Sequence, residues 1–174
     1  MDEKEQMRLS AIYNKLEKQL KEKGRTMDQE LSKLINVTQK ATNFLFRFYR
    51  KQCQASFDDL EKYATISDNG ELVMKNSKDE EIAYKHFVNV YDCVTRNSPD
   101  LGRILHDFDS QNGKMNEDYN NCLMKCGENS TKKSDEELSN CFLECNNNYI
   151  NSFKGASQNM SDDFSSLVSK LEKL

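Results

Sequence analysis

Cys122-Leu-Met-Lys-Cys126 and Cys141-Phe-Leu-Glu-Cys145 are two copies of one unit, separated by the fourteen residues 127–140. Cysteines four positions apart lie on one face of an α-helix, a turn from each other. If the intervening loop turns the second helix back antiparallel, Cys122 faces Cys145 and Cys126 faces Cys141. Both pairs then span two helices at an approach suited to a disulfide. A bond within a unit would only tie residues already fixed one turn apart. A four-cysteine zinc site stays open, since structural zinc sites pair cysteines two to four residues apart, and so do free buried thiols. Two cysteines on one regular turn wrap a tetrahedral ion less easily than they build a ladder. The nested loop is worth about 3 kcal/mol in the chain-entropy account of disulfides.

Working outward, the apolar residues keep a helical period. Leu9, Ile12, Tyr13, Leu16 and Leu20 form a stripe over 3–23, with Gly24 as its stop. A second helix is expected over about 27–64, carrying Leu31, Leu34, Ile35, Ala41 and Leu45. Its middle, Phe44, Leu45, Phe46, Phe48 and Tyr49, is apolar almost all round, as in helices packed on more than one side. Ser67-Asp-Asn-Gly70 reads as a turn, and a third helix fits about 78–96. Ser98 then offers an N-cap with Pro99 at the first helical position. The stripe Leu101, Ile104, Leu105, Phe108, Met115, Tyr119, Cys122, Cys126 favours one helix there over two. Residues 127–133 are a polar loop. Ser134 and Glu137 fit a capping box for a last helix through Leu171. The fold class is therefore all-α: about three amphipathic helices in residues 1–97, then an antiparallel disulfide-bonded pair in 98–174. Cys53 and Cys93 lie on or beside apolar stripes as small buried hydrophobes, with a third bridge between them as the alternative.

Composition bounds the function. Only 36% of the 174 residues are hydrophobic and 31% are charged, against roughly 45–50% apolar in an average soluble domain. Such a chain has limited apolar surface to bury, so disulfides or partners are expected to complete its core. The net charge of −4 argues against broad nucleic-acid binding, which needs a basic surface. No run of about 18 apolar residues encodes a membrane span. The polar start fits neither a secretory signal nor a transit peptide. His86 and His106 join no nucleophile or carboxylate pair, and no phosphate loop or metal-binding motif occurs, so neither catalysis nor a cofactor is expected. Asn36, Asn129 and Asn159 match the glycosylation pattern as chance does in an asparagine-rich chain.

Paired Cys-x3-Cys units, a polar loop, flanking amphipathic helices, Asp135-Glu-Glu-Leu138 before Cys141 and Tyr149 after Cys145 together resemble the small Tim family. The resemblance covers residues 98–174. It implies a disulfide-bonded helical hairpin with Cys122–Cys145 as outer and Cys126–Cys141 as inner bridge. It also implies residence in the mitochondrial intermembrane space and assembly with other small-Tim-like subunits into six-membered rings that escort hydrophobic precursors. An oxidising compartment would reconcile disulfides with the missing signal. Residues 1–97 depart from the family. A dense aromatic belt at Phe44, Leu45, Phe46, Phe48 and Tyr49 suits permanent docking onto a partner, so the expectation is a structural subunit of a larger inner-membrane complex. The alternative is a soluble chaperone gripping clients with Leu101, Ile104, Phe108, Phe153, Met160 and Phe164.

Overall fold

A computed structural model of the chain describes residues 3–68, 70–128 and 130–174. Outside that set lie the first two residues of the acidic start, Asn69 of the expected turn, and Asn129 of the polar loop with its glycosylation match. The architecture is mostly helical: α1 (Glu3–Phe48), α2 (Gln54–Leu60), α3 (Glu80–Asn97), α4 (Pro99–Gly127) and α5 (Asp135–Leu171). Between α2 and α3 a small antiparallel hairpin pairs β1 (Ala64–Ile66) with β2 (Leu72–Met74), Thr65 opposite Val73.

Two expectations are corrected at the start of the chain. Gly24 does not end a helix: α1 runs through it for 46 residues. Glycine inside a helix costs about 1 kcal/mol relative to alanine, and the apolar stripes on both sides outweigh that. The expected helix over 27–64 instead breaks after Phe48, turns through residues 49–53, and restarts as α2. Its last residue, Ala64, opens β1, so a short β element stands where only a turn was expected. The β-branched Thr65, Ile66 and Val73 suit that pleated surface.

The turn of the hairpin is where the sequence placed it. Gly70 has φ of 80°, its N–H donates to the Ser67 carbonyl at 2.9 Å, and Asn43 of α1 donates to the Asp68 carbonyl at 2.9 Å. A Cβ on Gly70 would lie 2.5 Å from Asn43 Oδ1, so both backbone angle and space require glycine.

Packing divides the chain into two compact units. One combines α1 up to Ser32 with Phe108–Gln158; the other combines Lys33–Asp107 with Asn159–Leu174. These units follow contacts and run differently from the sequence division at Asn97. In the first, Ile12 and Leu16 of α1 bury against Leu138 of α5, flanked by Leu9, Leu20, Phe142 and Leu143. A second cluster joins Met115, Phe153 and Ala156 with Met27, Phe108 and Tyr149 around it. In the second unit, α2 lies against α3, and Phe46 meets Phe57 and Phe87 edge-on at 6.1 and 5.9 Å. Lys170 of α5 pairs with Asp100 of α4 at 2.8 Å.

Helix starts divide between the expected and the unexpected. The capping box is present: Glu137 N–H donates to Ser134 Oγ at 3.2 Å and Ser134 N–H to Glu137 Oε2 at 2.7 Å. Ser98 precedes Pro99, yet its buried hydroxyl has no hydrogen-bond partner among the described residues. Its carbonyl instead accepts from Leu101 N–H at 3.0 Å.

Two outcomes follow. Phe46 is 4% exposed, so Phe46→Ala is expected to cost about 3–5 kcal/mol. Tyr84 is 59% exposed, and Tyr84→Ala should cost little; equal urea midpoints for the two variants would refute the packing. The bonds from the Ser134 backbone N–H and hydroxyl hold Glu137 below the usual carboxylate range. A depressed folded pKa contributes stability above the unfolded value of about 4.3, lost as pH falls through the folded value. The gap between wild-type and Glu137→Gln urea midpoints should therefore narrow from pH 7 to pH 3.

Candidate functional site

The site is the bridged pair formed by α4 and α5. Cys122 is joined to Cys145 with Cα atoms 5.7 Å apart, and Cys126 to Cys141 at 5.8 Å. The partners' numbers rise on one helix as they fall on the other, so the strapped segments run antiparallel. Cys126 and Cys145 are buried, while Cys122 and Cys141 are half-buried. Cys126 Sγ and Cys145 Sγ touch at 3.5 Å, which makes the two rungs one stack of sulfur. Three of these sulfurs, those of Cys122, Cys126 and Cys145, lie within 4.8 Å of each other. A zinc site would need them as thiolates. In the bridged form all six cysteines are spent in disulfides, so no such ligand set is offered.

The third bridge joins Cys53 to Cys93 at a Cα separation of 5.9 Å. It ties the turn before α2 to the last two turns of α3. Asn97 donates to the Cys93 carbonyl at 2.9 Å, with its amide nitrogen 3.7 Å from Cys53 Sγ.

The loop between α4 and α5 is fixed from three sides. Lys133 Nζ donates to the carbonyls of Lys125 and Cys126 at 3.1 and 3.0 Å, neutralising the end of α4 where carbonyls lack helical partners. The capping box holds the start of α5. From α1, Arg8 donates to Asp135 Oδ1 at 2.8 Å, to the Ser130 carbonyl at 3.1 Å and to the Lys133 carbonyl at 2.5 Å. Below the disulfides, Tyr119 and Tyr149 lie 5.1 Å apart, and Tyr149 donates to Asn116 Oδ1 at 3.2 Å. Burial pushes the Tyr119 phenol up.

The aromatic belt is divided by the structure. Leu45 and Phe46 are 0% and 4% exposed and belong to the chain's own core, so these two are withdrawn from any docking surface. Phe44, Phe48 and Tyr49 remain half-buried, with Phe44 on Phe48 at 6.0 Å and Phe48 on Tyr49 at 5.0 Å. Phe44 also borders a cavity of about 460 Å³ whose other walls, Asn36, Gln39, Lys40, Asn43, Arg47, Asp68 and Glu71, are polar. Of the residues expected to grip clients, Leu101, Ile104, Phe153, Met160 and Phe164 are all buried, and Phe108 packs in the Met115 cluster. His86 stacks flat on Tyr63 at 5.3 Å, and His106 stands in solvent beside Asp107.

Arg8 and Lys133 went unnoticed in the sequence. The only signal was Arg8 standing four, eight and twelve residues ahead of Ile12, Leu16 and Leu20. Nothing local told that it reaches carbonyls more than a hundred residues away. Compared with family models, curated proteins and solved structures, the chain matches none. No helix among the described residues is long and apolar enough to cross a membrane.

Replacing Cys126 and Cys141 together with serine opens a loop of sequence separation 15 and is expected to cost about 3 kcal/mol. The corresponding cost for Cys53 and Cys93, at separation 40, is about 4 kcal/mol. Mass mapping of unreduced peptides should recover Cys122–Cys145, Cys126–Cys141 and Cys53–Cys93; any other pairing would overturn the ladder.

Proposed function

We propose that the chain is a non-catalytic, small-Tim-like structural subunit of the mitochondrial intermembrane space, held in a ring of related helical subunits and fixed to a larger inner-membrane complex. The observation that carries this reading is the nested pair of bridges between antiparallel helices, Cys122–Cys145 outside Cys126–Cys141. It is the arrangement that the resemblance of residues 98–174 implies for a small-Tim-like hairpin. Three disulfides suit an oxidising compartment, and that compartment is where the resemblance points.

A fixed structural role is favoured over client escort by where the apolar side chains are used. A chaperone of hydrophobic precursors needs apolar surface free to grip them. Here Leu101, Ile104, Phe153, Met160 and Phe164 are already committed to the interior. Residues 1–97, which the small Tims lack, supply a 46-residue helix and a disulfide-tied α2–α3 pair. The half-buried Phe44, Phe48 and Tyr49 are the part of the belt left to meet a neighbour.

The test is size fractionation of the source membranes in a gentle detergent, followed by identification of the proteins that copurify. The chain is expected only in particles far larger than a six-membered ring, together with inner-membrane proteins. A free, ring-sized pool would overturn the structural reading, and crosslinks to newly imported precursors would favour the chaperone.

A further inference from the structure

α3 carries two apolar stripes, and its own unit uses only one of them. Ala83, Val90 and Val94 are fully buried, on a helix that lies against α2. About a third of the way round, at 3.6 residues per turn, Tyr84, Val88, Tyr91 and Thr95 follow one another at steps of four, three and four. Tyr84 is 59% and Val88 48% exposed, with Tyr91 and Thr95 half-buried. Thr95 spends its hydroxyl on the Tyr91 carbonyl at 2.9 Å. A second stripe at this spacing on a solvent face is the seam along which another helix packs.

The charges bordering the stripe say which helix. Glu81, Lys85, Asp92 and Arg96 stand along one edge of it, all exposed. Arg96 Nε donates to the Asp92 carbonyl of its own helix at 3.3 Å, and among the described residues none of the four enters an ion pair. Glu81 and Arg96 are equally far from the point between Val88 and Asn89, and so are Lys85 and Asp92. A second α3 laid antiparallel about that point therefore sets Glu81 against Arg96 and Lys85 against Asp92 in a single register. Twofold symmetry repeats both pairs, because the same patch serves each copy. The register also brings Tyr84 of one copy within reach of Tyr91 of the other, with the two Val88 side chains between them. A parallel pair would offer Glu80 to Lys85 but set Asp92 against Phe87, answering fewer charges. The edge is thus its own complement when reversed, which selects a second copy of this chain over an unrelated helix.

We propose that this face of α3 is an interface between two copies of the chain, antiparallel about Val88, seamed by Tyr84, Val88 and Tyr91 and bordered by four ion pairs. A helix of 18 residues is about 27 Å long, so the contact is smaller than the roughly 1,600 Å² of a standard stable interface. The dimer is accordingly reversible, and its exposed ion pairs make it sensitive to salt. The inference stands on α3 alone and does not depend on the compartment or the ring.

Sedimentation equilibrium of the full-length oxidised chain, over concentrations up to about 1 mM, should show a monomer–dimer equilibrium that weakens in high salt. Lys85→Glu with Arg96→Glu makes the border wholly acidic, and Glu81→Lys with Asp92→Lys makes it wholly basic. Each doubly substituted chain should dimerise at least about tenfold more weakly than wild type. Mixed one to one, the acidic and basic chains should associate at least as tightly as wild type, since every pair is again opposite in sign. A wild-type chain that stays monomeric, charge variants that dimerise as wild type does, or a mixture that stays monomeric would each overturn the proposal. Should either doubly substituted chain fail to fold, Val88→Asp at the centre of the seam decides it: a monomer is expected, and an undiminished dimer overturns the interface.

Discussion

Register between α4 and α5 is the constraint on which the rest of the bridged unit depends. One disulfide between two helices would leave them free to pivot about it. A second, one turn away and touching the first through Cys126 and Cys145, removes that freedom. Once the helices cannot slide or turn, the loop between them has a fixed span. Lys133 can then reach the end of α4, and the carbonyls of Ser130 and Lys133 face α1 together. The apolar shelf on α5 is likewise held at one height relative to the loop. The covalent ladder therefore organises a polar site and an apolar one, neither of which contains a cysteine.

In the other unit the same problem of a thin core is met differently. Residues 54–94 fold back on themselves, α2 against α3, and the apolar contribution is concentrated in few large groups. Phe46, Phe57 and Phe87 meet edge to face, an arrangement that adds to area burial through ring electrostatics. Arg50 lies over the Phe57 ring at 4.8 Å. The bridge from Cys53 to Cys93 then limits how far the unfolded chain can spread. A composition poor in hydrophobic residues is workable when those present are aromatic and the loops are closed.

What the sequence made legible were features written in local spacing. Paired cysteines four apart, the Ser134–Glu137 box, the helix from Pro99 and the turn ending in Gly70 all depend on residues within a few positions of each other. The misreadings share a different origin. Gly24 is a stop signal only where the helix has nothing to continue for; here Met27, half-buried against the cluster of Met115 and Phe153, and the buried Leu34 lie beyond it. The break after Phe48 has no glycine or proline to announce it, and is set by where α2 must lie to meet α3. The belt, apolar almost all round, is expected from sequence to dock onto a partner protein because no partner is visible near it in the chain. Its partners, Phe57 and Phe87, are distant in sequence. Arg8 was invisible for the same reason, since a cation in a run of charged residues says nothing about which carbonyl it will find.

Three bridges also decide how the molecule comes apart under a protease. The closures at Cys53–Cys93 and Cys122–Cys145 divide the backbone into segments of two kinds. A cut inside 54–92 or 123–144, including the hairpin turn and the α4–α5 loop, leaves both fragments tethered and the chain one covalent body until a reductant is added. A cut in 94–121 separates two bodies at once, each with its own disulfides. Those residues are almost wholly the last turn of α3 and the length of α4, where helical hydrogen bonding shields the peptide bonds. A nick in the hairpin turn or the α4–α5 loop is thus covalently silent, whereas one in the exposed turn at 50–52, outside both closures, is not.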